Sequence, residues 1–63
     1  MTTVSLRNGL IMVKEDEFIT KIFRKKRISV VYETAPKRIC IALISENPVF
    51  LSMTLEEFWE QIK

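Results

Sequence analysis

Apolar residues alternate with polar ones through the first third of the chain, and the alternation turns back on itself at Asn8-Gly9. That dipeptide accepts the two positive φ angles of a two-residue type I′ turn, so it predicts a hairpin and fixes its register. Arg7 then faces Leu10, Leu6 faces Ile11, Ser5 faces Met12 and Val4 faces Val13. Val4, Leu6, Ile11 and Val13 share one face, the expected core side, because side chains in a strand point alternately to its two faces. Ser5, Arg7, Leu10 and Met12 share the other, and its mixed character implies partial cover by another element or chain.

The acidic run Glu15-Asp16-Glu17 interrupts the pattern, and a third strand is expected from Phe18 to Phe23. Arg24 to Arg27 reads as a polar tip, with Ile28 to Glu33 returning beside the third strand as a second hairpin. Thr34-Ala35-Pro36-Lys37 ends that strand, since proline lacks the donor a central strand needs. From Arg38 to Ile44 both faces are apolar, which suits the middle of a sheet or a subunit interface. After the turn signal Ser45-Glu46-Asn47-Pro48, Val49 to Ser52 forms a short last strand. The period then changes to that of a helix. Thr54 with Glu57 three residues on is a capping box, and Leu55, Phe58, Trp59 and Ile62 fall on one stripe. A helix of about nine residues does not persist alone in water, so the stripe must dock on the sheet or on a partner. The fold class predicted is mainly β (α+β): five to six short antiparallel strands in a small sheet or barrel, with one C-terminal helix, in a single domain spanning residues 1–63.

Size changes the picture next. A chain of 63 residues buries only about 60% of the surface its unfolded form exposes, so its stability is marginal. Cys40 is the only cysteine and histidine is absent, which excludes an internal disulfide and a Cys/His zinc site. Association is the remaining route to extra stability, and the 48% apolar content fits a homodimer. Cys40, flanked by Ile39 and Ile41, is expected to be an inert buried thiol, consistent with a cytoplasmic protein. The longest apolar run, Ile39 to Ile44, is far shorter than the roughly twenty residues of a membrane span, so no membrane partner is expected.

Charge is unevenly placed. Seven of the ten basic residues but only one of the eight acidic ones lie between positions 21 and 38, so that stretch carries +6 and the remainder −4. Arg24, Lys25, Lys26 and Arg27 are either phosphate contacts, with Lys21, Lys37 and Arg38 extending the patch, or a solvated turn that blocks edge pairing. Arg7, beside the tight turn, joins the candidate nucleic-acid contacts. Phe18, Phe23, Tyr32 and Phe50 are expected in the core, with Tyr32 the exception best placed to stack on an unpaired base. Phe58 and Trp59 are candidate partner-binding residues, unless the helix packs its stripe on its own sheet. Glu15, Asp16 and Glu17 are consecutive and cannot all face one ion, so no metal site is assigned. With no histidine, no glycine-rich phosphate loop and no nucleophile beside an evident base, the chain reads as a non-enzyme without a cofactor.

The middle of the chain resembles the carbon storage regulator family of small bacterial mRNA-binding proteins. The residues that carry the resemblance are Asp16-Glu17 before a β-branched and aromatic strand, Ile28 to Tyr32 after a turn, Ala35-Pro36-Lys37 leading into an alternating strand, and a short helix ending in Glu60-Gln61-Ile62. The resemblance implies a dimer with interleaved strands that grips RNA through basic residues of its first and last strands, with Arg7 at the first. At the last strand the family's arginine falls on Leu43, and the glycines of its turns are replaced by Arg24 to Arg27. The function expected is that of a small regulatory protein binding nucleic acid, RNA ahead of DNA, through the basic tip. The alternative is a protein-interaction module, an inhibitor or adaptor, docking by an apolar face and the C-terminal helix.

Overall fold

The computed structural model describes every residue from Met1 to Lys63. Six strands and one helix follow in order: β1 (Thr2–Arg7), β2 (Leu10–Glu15), β3 (Phe18–Arg24), β4 (Ile28–Ala35), β5 (Arg38–Leu43), β6 (Val49–Leu51) and α1 (Leu55–Ile62). They form two antiparallel sheets of three, ordered β1-β2-β3 and β4-β5-β6, and no barrel closes.

The first hairpin has the register its turn dictates, from Arg7 opposite Leu10 to Val4 opposite Val13. Asn8 and Gly9 hold φ angles of 51° and 75°, the left-handed pair that a type I′ turn requires. Val4, Ile11 and Val13 are buried and Leu6 is half-buried, as alternation demands. β3 departs from simple alternation. Lys14 pairs with Ile19 while Val13 pairs with Lys21, so Thr20 is the extra residue of a bulge, and its hydroxyl donates to the Val13 carbonyl at 3.4 Å. Past the bulge the phase of the strand shifts, and of its apolar residues only Phe23 is buried.

The second hairpin expected across Arg24 to Arg27 does not form: β3 and β4 lie in different sheets. Lys25–Arg27 is instead a single 3-10 turn that carries the chain from one sheet to the other. Its backbone is satisfied from two sides, the Lys25 N–H donating to the Gly9 carbonyl at 2.9 Å and the Arg27 carbonyl accepting from the Ile44 N–H at 2.8 Å. The physical reason lies in β5. Buried along most of its length, β5 needs its backbone groups paired at both edges, and the tight Pro36-Lys37 turn delivers β4 to one of them, with Ala35 opposite Arg38. β4 thus runs to Ala35, two residues beyond the expected end, and the missing N–H of Pro36 falls harmlessly in the turn.

The core is shared between the sheets. Val4, Ile11, Val13 and Phe23 come from the first, Ile39, Ile41, Leu43 and Leu51 from the second, and Met53, Phe58 and Ile62 close one side. The helix begins with the expected capping box: the Glu57 N–H donates to Thr54 Oγ1 at 3.1 Å, and the Thr54 N–H to Glu57 Oε1 at 3.0 Å. Gln61 then reaches the edge of β1, its side-chain oxygen accepting from the Val4 N–H at 2.6 Å.

Replacing Thr54 with Ala should lower stability by about 1 kcal/mol, the usual worth of an N-cap side chain. The bonds from Thr54 hold the Glu57 carboxyl below its ordinary value of 4.5. A depressed carboxyl stabilises the fold above its unfolded-state pKa, and that stability is lost as pH falls through the folded value. Thermal denaturation at neutral and acidic pH should therefore show a smaller acid-induced loss in Glu57→Gln than in the parent protein, whereas Thr54→Ala, which keeps the backbone N–H that is the largest cause, should retain most of it.

Candidate nucleic-acid interface

One end of the β1-β2-β3 sheet is basic for reasons that begin in the register. Arg7 lies opposite Leu10, and Leu10 lies opposite Arg24, so the three form one row across the sheet and point to the same face. The bond from Lys25 N–H to Gly9 pulls the 3-10 turn against the tip of the hairpin. Arg7, Arg24, Lys25 and Lys26 consequently gather around the Asn8-Gly9 turn, although Arg7 is far from the others in sequence. Beside the turn is a concavity of about 590 Å³, lined by Asn8, Gly9, Leu10, Arg24, Lys25 and Lys26 but not by Arg7.

These cations are exposed and uncompensated. The chain makes only two ion pairs, between the amino terminus and Asp16 at 2.6 Å and between Lys63 and Glu60 at 3.4 Å, and neither involves this end. The next row of the same face is Ser5, Met12 and Ile22, so a part-apolar strip runs beside the basic one. Chemically the arrangement offers point charges and guanidinium forks for phosphate, next to apolar surface for whatever the phosphates are attached to.

The remaining expected contacts are placed elsewhere. Lys21 lies opposite Val13, is half-buried, and belongs to the face turned toward the core. Arg27 is exposed on the 3-10 turn but does not line the concavity. Lys37 and Arg38 sit at the far end of β4, whose eight residues span roughly 25 Å at about 3.3 Å each. Lys37 there helps to hold Glu57 ionised, and the Arg38 guanidinium lies 5.6 Å from the centre of the Phe50 ring. The single patch running from Lys21 to Arg38 is thus corrected to a compact group of four, because β4 carries the second basic turn away from the first.

The aromatic residues also divide differently from expectation. Phe23 is buried, but Phe18, Tyr32 and Phe50 are 73%, 48% and 50% exposed. Tyr32, Cys40 and Phe50 form a row on the outer face of the β4-β5-β6 sheet, with the buried, free Cys40 between the two rings. Of the two helix residues expected to bind a partner, Phe58 is a core residue and leaves that role, whereas Trp59 is 59% exposed. The stripe is split because the helix meets β1 more closely than β4, which leaves an open groove of about 1060 Å³ between α1 and β4. The acidic cluster is a turn, with Asp16 at a φ of 55° and its carboxyl held low by the adjacent terminal ammonium.

No protein-family model, curated protein or solved structure matches this chain. Leu43, the position where the carbon storage regulator resemblance would put an RNA-contacting arginine, is buried in the core.

The proximity of Cys40, its cross-strand partner, pushes the Tyr32 phenol above its ordinary value of 10.0. Tyr32 is the only tyrosine, so its phenolate absorbance can be followed directly. Cys40→Ala should bring the midpoint of that titration back down toward 10.0; an unchanged midpoint would mean that the two groups do not interact.

Proposed function

We propose that this protein is a small, non-catalytic regulatory protein that binds nucleic acid, RNA in preference to DNA. The observation that carries the reading is the convergence of Arg24, Lys25 and Lys26 around one concavity, with Arg7 in the same row of the sheet as Arg24 and no carboxylate paired to any of the four. Four unpaired cations on a domain this small attract phosphate by simple electrostatics, and each phosphate neutralised releases condensed counterions. A solvated turn that only blocks edge pairing would have no reason to recruit Arg7 from another strand.

A preference for single strands over a duplex follows from what lies beside the charges. Leu10, Met12 and Ile22 form an apolar strip on the basic face, and single-stranded loops present apolar base faces together with phosphates, which a closed duplex does not. The choice of RNA over DNA rests on the resemblance to a family of mRNA-binding proteins, through Arg7.

The test is binding of labelled short single-stranded RNA, and of single- and double-stranded DNA, followed by fluorescence anisotropy across a salt series. Four phosphate contacts on a single strand predict a slope of log K against log salt near −3, at about −0.7 per contact. Replacing Arg24, Lys25 and Lys26 together with Ser should weaken RNA binding at least tenfold and flatten the slope to about −0.7. The variant keeps the Lys25 backbone bond, so circular dichroism should be unchanged. Lys37→Ser with Arg38→Ser, at the far end of β4, should leave binding intact. Absence of binding by the parent protein, or a triple variant that binds equally well, sinks the proposal.

A further inference from the structure

The cations at the basic end form a cluster and not a track. Arg24, Lys25 and Lys26 are consecutive, at the end of β3 and the start of the 3-10 turn, and all three line one concavity. Arg7, across Leu10 from Arg24, is the one further cation in their row. No line of charges leads away from the group. Lys21 belongs to the core-facing side of β3, Arg27 does not line the concavity, and Lys37 and Arg38 stand at the far end of β4. A surface that follows a nucleic-acid backbone spreads its charges along a groove, whereas this one concentrates them at a point.

The backbone beneath the cluster is fixed, and its donors are unspent. The pairing of Leu10 with Arg24 and the bond from the Lys25 N–H to the Gly9 carbonyl tie the two walls of the concavity together. Gly9 serves the turn through its φ of 75° and is not there for want of room: a Cβ on it would meet nothing within 4 Å, so the space above it is open to a ligand. None of the side-chain hydrogen bonds of the chain uses Asn8, Arg24, Lys25 or Lys26. Lysine and arginine only donate, the Asn8 amide adds further N–H groups, and no carboxylate lines the site. Such a site suits a compact ligand rich in acceptors and negative charge, and the exposed Leu10 offers a surface for an apolar group attached to it.

We propose that the concavity binds the terminal phosphate monoester of a single nucleic-acid strand, so that the protein holds strand ends in preference to strand interiors. The inference rests on the nucleic-acid reading above and narrows it. A diester inside a strand carries a single charge, whereas a terminal monoester carries close to a double charge at neutral pH and presents three acceptor oxygens. Cations gathered at one point gain more from the doubly charged group, because each of them interacts with both charges at once. Arg24, Lys25 and Lys26 meet the terminal group, and Arg7, farther along the row, meets the diesters that follow it. At about 590 Å³ the concavity lies within the range of small-ligand sites and has room for the terminal nucleotide, its base face against Leu10.

Fluorescence anisotropy should compare three versions of one short, internally labelled RNA strand, ending in a 5′-phosphate, in a 3′-phosphate, or in hydroxyls at both ends. One of the phosphorylated strands should bind about tenfold tighter than the hydroxyl strand, the worth of an additional charged hydrogen bond, and which of them does so shows the end that is held. The advantage should fade as pH falls through about 6, where the monoester loses its second charge. No carboxylate or histidine lines the concavity, so the protein's own charges there stay fixed over that range. Replacing Arg24, Lys25 and Lys26 together with Ser should leave a protein that binds phosphorylated and hydroxyl strands alike. Equal binding of the three strands by the parent protein, with its salt dependence intact, overturns this inference and leaves the nucleic-acid reading standing; no binding of any strand overturns both. A terminal-phosphate advantage that survives in the triple variant, or that ignores pH, also overturns it, and so does a phosphoserine peptide that binds as tightly as the phosphorylated strand.

Discussion

Everything in this molecule depends on the inner face of β2 meeting the inner face of β5. Ile11 and Val13 on one strand and Ile39 and Ile41 on the other have essentially no exposed surface, and each strand is the middle one of its sheet. A chain of 63 residues has too little apolar surface to cover both faces of a single six-stranded sheet, so it folds the apolar face in half and buries it against itself. Once the two central strands are opposed, the outer strands can only extend the two layers, and the helix can only close a side where the layers gape. The large exposed residues on the outer faces are then what is left over after one core has been filled.

The crossover from one layer to the other is where this packing creates chemistry. A two-residue β-turn would have kept β3 and β4 in one sheet. A 3-10 turn, anchored to Gly9 on one side and Ile44 on the other, moves the chain across. It must be polar, because it lies at the rim and has no strand to cover it. The cations at this rim are held by backbone bonds that do not use their side chains, which leaves the charged groups available. The tightness of the Asn8-Gly9 turn brings Arg7 to the same rim, so a local backbone preference at one place sets the composition of a surface at another.

Much of this was legible in the sequence wherever the determining interaction is local. The Asn8-Gly9 register, the two-sided character of β5 and the Thr54–Glu57 cap follow from residues within a few positions of one another, and each is present as expected. What was not legible depends on pairing at a distance. The Arg24 to Arg27 tip fitted a hairpin as well as a crossover, and only the demand of β5 for β4 decides between them. The bulge at Thr20 moved Ile22 and Phe23 to faces that alternation from Phe18 could not assign. Phe50 was expected in the core because small proteins need their aromatics inside, yet its place opposite Cys40 turns it outward over Arg38. The candidate site shared that fate: Arg24, Lys25 and Lys26 were visible as a cluster, but Lys37 and Arg38 were separated from them only by the length of β4.

The bond between Gln61 and the edge of β1 has a consequence for how the chain assembles. Every strand pairing joins neighbours in sequence, β1 with β2, β2 with β3, β4 with β5 and β5 with β6, so the loops that close within each sheet are short. The contact of α1 with β1 spans nearly the whole chain and must form late. Until it forms, the β1 edge has no cover. The helix, started by its capping box, is what keeps the strand of another chain from pairing along β1.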